Sequence, residues 1–184
     1  MGKLVIYTGP MKSGKTTKLI EQYKKTLEKH PKTTYMFKPA IDNRFSYAKV
    51  VARNMQDQVL ATLLNDIDML WYFKDMYNYF FIDEFQLLDG NINVIRDLLD
   101  LDKNIYVSGL NLTADRKPFG RINDLMCMAN KIYILNGKCE VCNKEDKGIY
   151  TYYSGTKTAD ILIGEDNYIC VCSKCYNKLK KHTL

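Results

Sequence analysis

An α/β fold, a parallel sheet flanked by helices with a small C-terminal lobe, is predicted for this 184-residue sequence from three observations. Short apolar runs of strand length alternate with segments of helical periodicity up to Gly137, the pattern of a parallel sheet with crossover helices. A glycine-rich loop joins the first apolar run to the first helical segment. All six cysteines lie in the last third of the chain, beyond or near the point where the alternation stops.

Taken in order, residues 4–7 (LVIY) read as a buried strand. After the glycine loop, Leu19, Ile20, Tyr23 and Leu27 mark one face of a helix, which His30-Pro31 ends. Tyr35, Met36 and Phe37 form a second strand, stopped by Pro39. Residues 60–73, rich in Leu, Met and aromatics, are expected to be helical. Residues 79–82 (YFFI) make a fully apolar strand, and Ile92, Ile95, Leu98 and Leu99 describe another helix face. Strands at 105–107 and 131–135 complete the series. The expected organisation is an α/β domain over 1–137 and a cysteine-bearing lobe over 138–184, with no internal repeat.

Composition narrows the class of protein. The length suits a single core that buries roughly 70% of the unfolded surface. A charged fraction of 26% is that of an ordinary globular chain, which speaks against extensive disorder. No apolar run approaches the ~20 residues of a membrane span. The first eight residues lead straight into the glycine loop and leave no room for a signal peptide, so a cytoplasmic protein is expected. The net charge is +6, and the lysines are scattered except for Lys178, Lys180 and Lys181. A solvated lysine-rich surface, with no nucleic acid and no membrane as partner, is the plainer interpretation.

Two motifs carry chemistry in the first 137 residues. Gly9-Pro10-Met11-Lys12-Ser13-Gly14-Lys15-Thr16 fits G-x-x-x-x-G-K-[ST], a P-loop, and stands between strand and helix as that motif requires. Its glycines let backbone N–H groups curl around phosphates at the helix N-terminus. Lys15 is placed to reach the outer phosphates and the Thr16 hydroxyl to bind Mg²⁺. The apolar strand 79–82 then ends in Asp83-Glu84. Asp83 is expected to hold magnesium through water, and Glu84 to take a proton from an attacking oxygen. His30 and His182 belong to no motif.

The cysteines supply a third. Cys139/Cys142 and Cys172/Cys175 are two C-x-x-C pairs, each able to offer two thiolates to one tetrahedral Zn²⁺. The 29 residues between the pairs demand a hairpin or long loop. A redox C-x-x-C is the competing reading, without a thioredoxin-like context to favour it. Cys127 lies in an apolar stretch, and Cys170 is a possible fifth thiol near the site.

Together these features resemble the type II thymidine kinases, a family of zinc-containing P-loop deoxynucleoside kinases, over almost the whole chain. Gly9-Pro10-Met11 with Ser13-Gly14-Lys15-Thr16 is similar to the family's extended phosphate loop. Lys38-Pro39-Ala40-Ile41-Asp42-Asn43-Arg44 resembles its K-x-x-x-D-x-R segment, and Asp83-Glu84-Phe85-Gln86 its acid pair with the following glutamine. Gly109-Leu110-Asn111, the segment 116–120, and Gly164, Asp166 and Tyr168 near the second cysteine pair complete the order.

The resemblance implies transfer of the ATP γ-phosphate to the 5′-hydroxyl of thymidine, and of deoxyuridine as well, within pyrimidine salvage. It implies Glu84 as base and Arg44 beside the transferring phosphoryl group. It assigns Gly9, Met11, Lys12, Ser13, Gly14, Lys15, Thr16, Asp83 and Gln86 to ATP with Mg²⁺. Met11, Leu110, Thr151, Ile163, Gly164 and Tyr168 fall to the nucleoside, under a lasso loop rooted in the zinc lobe. A homotetramer, with dTTP as feedback inhibitor, is also implied. The chain departs from the family at Lys12, where Phe is common, at Leu87 and Ala114, which replace aromatics, and at Ile163, which replaces glycine. Two rival readings are a P-loop ATPase whose zinc lobe binds nucleic acid, and a non-catalytic nucleotide-binding scaffold. The first lacks a basic stripe interleaved with aromatics, and the second leaves a full set of phosphate, metal and proton-handling residues without a use.

Overall fold

The structure is a computed structural model that describes residues 1–42, 48–52, 57–155 and 167–181. β1 (Leu4–Thr8), α1 (Lys15–Lys29) and β2 (Thr34–Pro39) open the chain. Short strands β3 (Lys49–Val51), β4 (Gln58–Leu60) and β5 (Thr62–Leu64) follow. Then come β6 (Tyr79–Ile82), α2 (Asn93–Asp100), β7 (Asn104–Gly109), α3 (Ile122–Met126) and β8 (Lys131–Ile134). β9 (Tyr150–Tyr153), β10 (Tyr168–Val171) and α4 (Ser173–Lys181) end it. No helix among the described residues is long and apolar enough to cross a membrane.

Six strands form one sheet in the order β5-β2-β6-β7-β1-β8, with parallel pairing throughout. Period-two alternation divides the apolar runs between its two faces. Leu4, Ile6, Phe37, Phe80, Ile82, Ile105 and Val107 face α2 and α3 through Val94, Ile95, Leu98, Ile122 and Leu125. Val5, Tyr7, Met36 and Phe81 face Leu19, Ile20 and Tyr23 of α1. A strand covered on both sides must be apolar at every position, which is why 4–7 and 79–82 carry no polar alternation. β8 is the exception. It is an edge strand with Ile132, Tyr133 and Ile134 partly exposed, held by pairing to β1 and by the stack of Tyr133 on Tyr7.

The segment 60–73 corrects the sequence expectation. It holds the end of β4, all of β5 and a 3-10 turn over Asp68–Phe73 instead of a helix. Helical spacing in the sequence is not matched by burial: Leu64, Ile67 and Leu70 are buried, whereas Leu60, which a helix would place on their face, is exposed, as is Tyr72. The Asp66 carboxylate also accepts the Met69 N–H at 3.0 Å, a side-chain bond that favours a turn over a continuing helix. The antiparallel pair β3–β4 has no strong apolar run or turn signature and was not expected.

The last part of the chain builds a separate two-stranded antiparallel sheet, β9–β10, with α4 against it. Its small core is Cys139, Tyr152, Val171, Cys175 and Tyr176, all buried. Tyr176 reaches out of it, donating to the Ala114 carbonyl at 2.7 Å, and Arg116 lies 4.7 Å over its ring.

Phe37 is fully buried among Phe80, Phe73 and Tyr35, at ring-centroid distances of 5.7, 5.1 and 5.5 Å. Truncating it leaves a cavity that rigid neighbours cannot refill. Phe37→Ala is expected to cost about 3–5 kcal/mol. Urea unfolding should show a lower midpoint at an unchanged slope.

Candidate active site

The C-terminal ends of β1, β6 and β7 lie side by side, and each contributes to one cluster. Leaving β1, the chain turns through Gly9 at φ +142°, where a Cβ would lie 2.1 Å from the Leu135 carbonyl oxygen, so only glycine fits. The loop continues with Lys12 and Gly14 at φ +64° and +83° before α1 begins at Lys15. Its backbone thereby curls ahead of a helix N-terminus, the kind of turn that binds anions. Ser13 Oγ and Lys15 Nζ both donate to the Pro10 carbonyl, at 2.9 and 2.6 Å, so the lysine is folded over its own loop.

Asp83 ends β6 and is buried. Its carboxylate accepts the Thr16 hydroxyl at 3.1 and 3.2 Å and also that of Ser108 on β7. Glu84, the next residue, turns away in a left-handed conformation at φ +51°. Such a conformation costs a non-glycine residue free energy and persists only where the surrounding structure imposes it. Gln86 donates to Glu84 Oε2 and accepts the Leu110 N–H at 2.9 Å, bridging the acid to the end of β7.

These groups border a cavity of about 170 Å³, lined by Met11, Lys12, Gly14, Lys15, Thr16, Asp83, Glu84 and Leu110. Lys38 and Asp42 line it too, paired at 3.4 Å and almost wholly buried. Of the residues expected at the site, Gly9 and Ser13 shape the loop, and Gln86 stands behind Glu84 without lining the cavity. Thr151 binds the loop directly, its hydroxyl accepting the Met11 N–H at 2.9 Å. Tyr168 pairs with Tyr153 on the β9–β10 sheet, their rings 4.8 Å apart, and does not line this cavity. Arg44, Ile163, Gly164, Asp166 and His182 lie outside the described residues. Sequence reasoning missed Ser108 and the cavity wall Lys49, Val50 and Val51. Ser108 could have been found as the hydroxyl one strand over from Asp83.

The four paired cysteines converge. The sulfurs of Cys139, Cys142, Cys172 and Cys175 all lie within 4.8 Å of one another, with Cys142 and Cys172 at 4.0 Å. Thiolates ~2.3 Å from a tetrahedral Zn²⁺ stand about 3.8 Å apart, so the donor set fits a structural zinc. Burial alone would raise the Cys139 thiol, but hydrogen bonds from the backbone at Cys142, Cys172 and Val141 bring it down to about 6. Cys139 is thus the ready thiolate of the set. Cys170 is not part of the cluster. Burial, with the Glu140 carboxylate nearby, pushes it up to about 11. Its sulfur is packed against Gly137 and Gly148, where added Cβ atoms would come within 2.7 and 2.3 Å of it.

A parallel sheet, a phosphate loop after β1 and an acid at the end of β6, with β7 between the two strands, define a P-loop nucleotide-binding protein. The thymidine kinase family model matches residues 2–176. The thymidine kinase of Pseudothermotoga lettingae is 34% identical over 180 residues, covering 97% of this chain and 96% of that protein. That of Mesomycoplasma hyopneumoniae is 32% identical over 96% of each chain, and that of Mycoplasma mobile 30% identical over 95% and 87%. The chain belongs to the thymidine kinase family.

Protein purified without chelator is expected to hold about one zinc per chain. Cys175→Ser should lose it, whereas Cys170→Ser should retain it. Elemental analysis of the three proteins distinguishes a four-sulfur site from one that recruits the fifth thiol.

Proposed function

We propose that this chain transfers the γ-phosphate of ATP to the 5′-hydroxyl of thymidine, giving thymidine monophosphate for pyrimidine salvage. The observation that supports it most is the adjacency of Asp83 and Glu84: one carboxylate is tied to the phosphate-loop threonine, and the next faces the same cavity. Family membership supplies the substrate class.

In this reading the loop from Gly9 to Thr16 cradles the phosphates with its N–H groups. Lys15 leaves the Pro10 carbonyl to meet the β- and γ-phosphates. The Thr16 hydroxyl, and Asp83 through water, would hold Mg²⁺, which would supply charge neutralisation on the phosphates. Glu84 accepts the proton of the 5′-hydroxyl as that oxygen bonds to the γ-phosphorus and the bond to the β–γ bridging oxygen breaks, releasing ADP. Gln86 fixes the Glu84 carboxylate against the end of β7. We assign Arg44 to the transferring phosphoryl group. Met11, Leu110, Thr151, Ile163, Gly164 and Tyr168 are assigned to the nucleoside, under a loop of the 138–184 lobe that zinc holds at its root. A lobe with so small a core gains that rigidity from a metal. Family resemblance alone supports a homotetramer, inhibition by dTTP and a cytoplasmic location, to which six free thiols are also suited.

Glu84→Gln should leave ATP binding nearly intact and lower kcat on the order of 10²- to 10⁴-fold. Lys15→Ala should weaken nucleotide binding itself. Wild-type turnover by Glu84→Gln would remove the base from the mechanism.

Substrate choice follows from how a base is recognised. One methyl group in an apolar pocket discriminates by roughly 10–200-fold, and Leu87 and Ala114, in place of aromatics, put the expected value at the low end. Hydrogen-bond readout of the ring edge can reject a mismatched base by about 10⁴ or more. Thymidine should therefore be modestly preferred over deoxyuridine, with almost no purine phosphorylated. The check is kcat/KM for thymidine, deoxyuridine, deoxycytidine and deoxyadenosine in one buffer. ADP formation that ignores nucleosides but responds to single-stranded DNA would favour the ATPase reading instead.

A further inference from the structure

We infer that Glu140 is a positioning residue that couples the metal site to the phosphate loop, so that zinc and nucleotide each strengthen the other's binding. This coupling presupposes that the loop binds ATP as proposed above.

Glu140 stands inside the first cysteine turn, between Cys139 and Cys142. Its N–H donates to the Cys170 carbonyl at 2.8 Å, and its Oε1 accepts the Cys170 N–H at 2.8 Å. It therefore grips one residue of β10 through both backbone and side chain. Two residues further on is Cys172, the start of the second cysteine turn. A metal ion that draws the two turns together fixes both halves of this clasp. The other carboxylate oxygen, Oε2, takes Lys12 Nζ at 2.7 Å.

Lys12 lies in the middle of the phosphate loop at φ +64°, a conformation that a side chain with a Cβ adopts only when its surroundings impose it. Two further contacts impose it from the same side. The Lys12 carbonyl is backed by Gly137, where an added Cβ would lie 3.2 Å from its oxygen. The preceding N–H, that of Met11, is held by Thr151 of β9 at 2.9 Å. With side chains 22% and 32% exposed, Lys12 and Glu140 would contribute little as an isolated surface pair. Here both oxygens of the carboxylate are engaged and its backbone is already ordered, so the pair transmits position at small entropic cost. The lysine at a place where the family commonly has Phe is thereby turned toward the cysteine turn. Its role is to hold the shape of the loop.

Coupling between two binding sites is reciprocal, which gives two independent readings of one quantity. Zinc affinity is measured by equilibrium competition with a chromophoric chelator, with and without a non-hydrolysable ATP analogue plus Mg²⁺. Analogue affinity is measured by calorimetry on the zinc-loaded proteins. In the wild type the analogue should raise zinc affinity on the order of fivefold or more. Lys12→Met and Glu140→Gln should each abolish that shift and bind the analogue more weakly by a similar factor, and the double variant should be no weaker than either. Lys12→Arg, which can still pair with Glu140, should keep the shift. An analogue that binds the wild type without changing zinc affinity overturns the coupling, as does a shift that survives Lys12→Met. Failure of the analogue to bind the wild type at all overturns the kinase reading, and the coupling with it. If Glu140→Gln does not fold, Lys12→Met, which lies outside the cysteine turns, decides the matter.

Discussion

A buried carboxylate must be given donors, and the way Asp83 obtains them organises the site. Its side chain is removed from water at the end of β6, where an unpartnered charge would be untenable. Its donors include hydroxyls on two separate paths of the chain, Thr16 in the first turn of α1 and Ser108 on β7. That knot sets the height of the phosphate loop above the sheet and the start of α1. It also leaves Glu84 no extended continuation, since the chain turns at once into the 3-10 segment Phe85–Leu87. Glu84, the proposed base, and the loop are thus positioned by one desolvated group between them.

Much of this was legible in the residues alone. Strands buried on both faces announce themselves as unbroken apolar runs, so 4–7 and 79–82 could be located without coordinates. The loop and the C-x-x-C pairs could be found because their chemistry demands short fixed spacings. What was hidden depends on partners distant in the chain. Nothing near Thr151 indicates that its hydroxyl accepts the Met11 N–H, and nothing near Glu140 indicates two partners as remote as Lys12 and Cys170. The region 60–73 misled for a different reason. Its Leu and aromatic residues fall at spacings a helix would also use, yet they belong to short pieces, β5 and a 3-10 turn, and so short a period does not separate a helix from a strand followed by a turn.

The described structure also distributes two roles that sequence motifs tend to merge. Residues named by the phosphate-loop pattern do not all spend their side chains on the cavity: Lys12, at its wall, extends its ammonium to Glu140, and Ser13 closes onto Pro10. Likewise Gln86, adjacent to the acid pair, serves as a brace between Glu84 and Leu110. A motif of eight residues here contains parts that would touch a nucleotide and parts that hold the first kind in place.

The bond between Met11 and Thr151 joins groups 140 residues apart. Synthesis runs from the N-terminus at about 5–20 residues per second, so the phosphate loop emerges many seconds before the hydroxyl that restrains it. Through that interval the sheet can gather its first strands, yet the loop has neither Thr151 nor Glu140 to hold its outer turn. Such distant closures are slow steps of folding, because chain entropy is lost before the contact rewards it. The order of events built into this chain is therefore scaffold first and phosphate loop last, since Glu140 and Thr151 follow the loop residues they restrain by 128 and 140 positions.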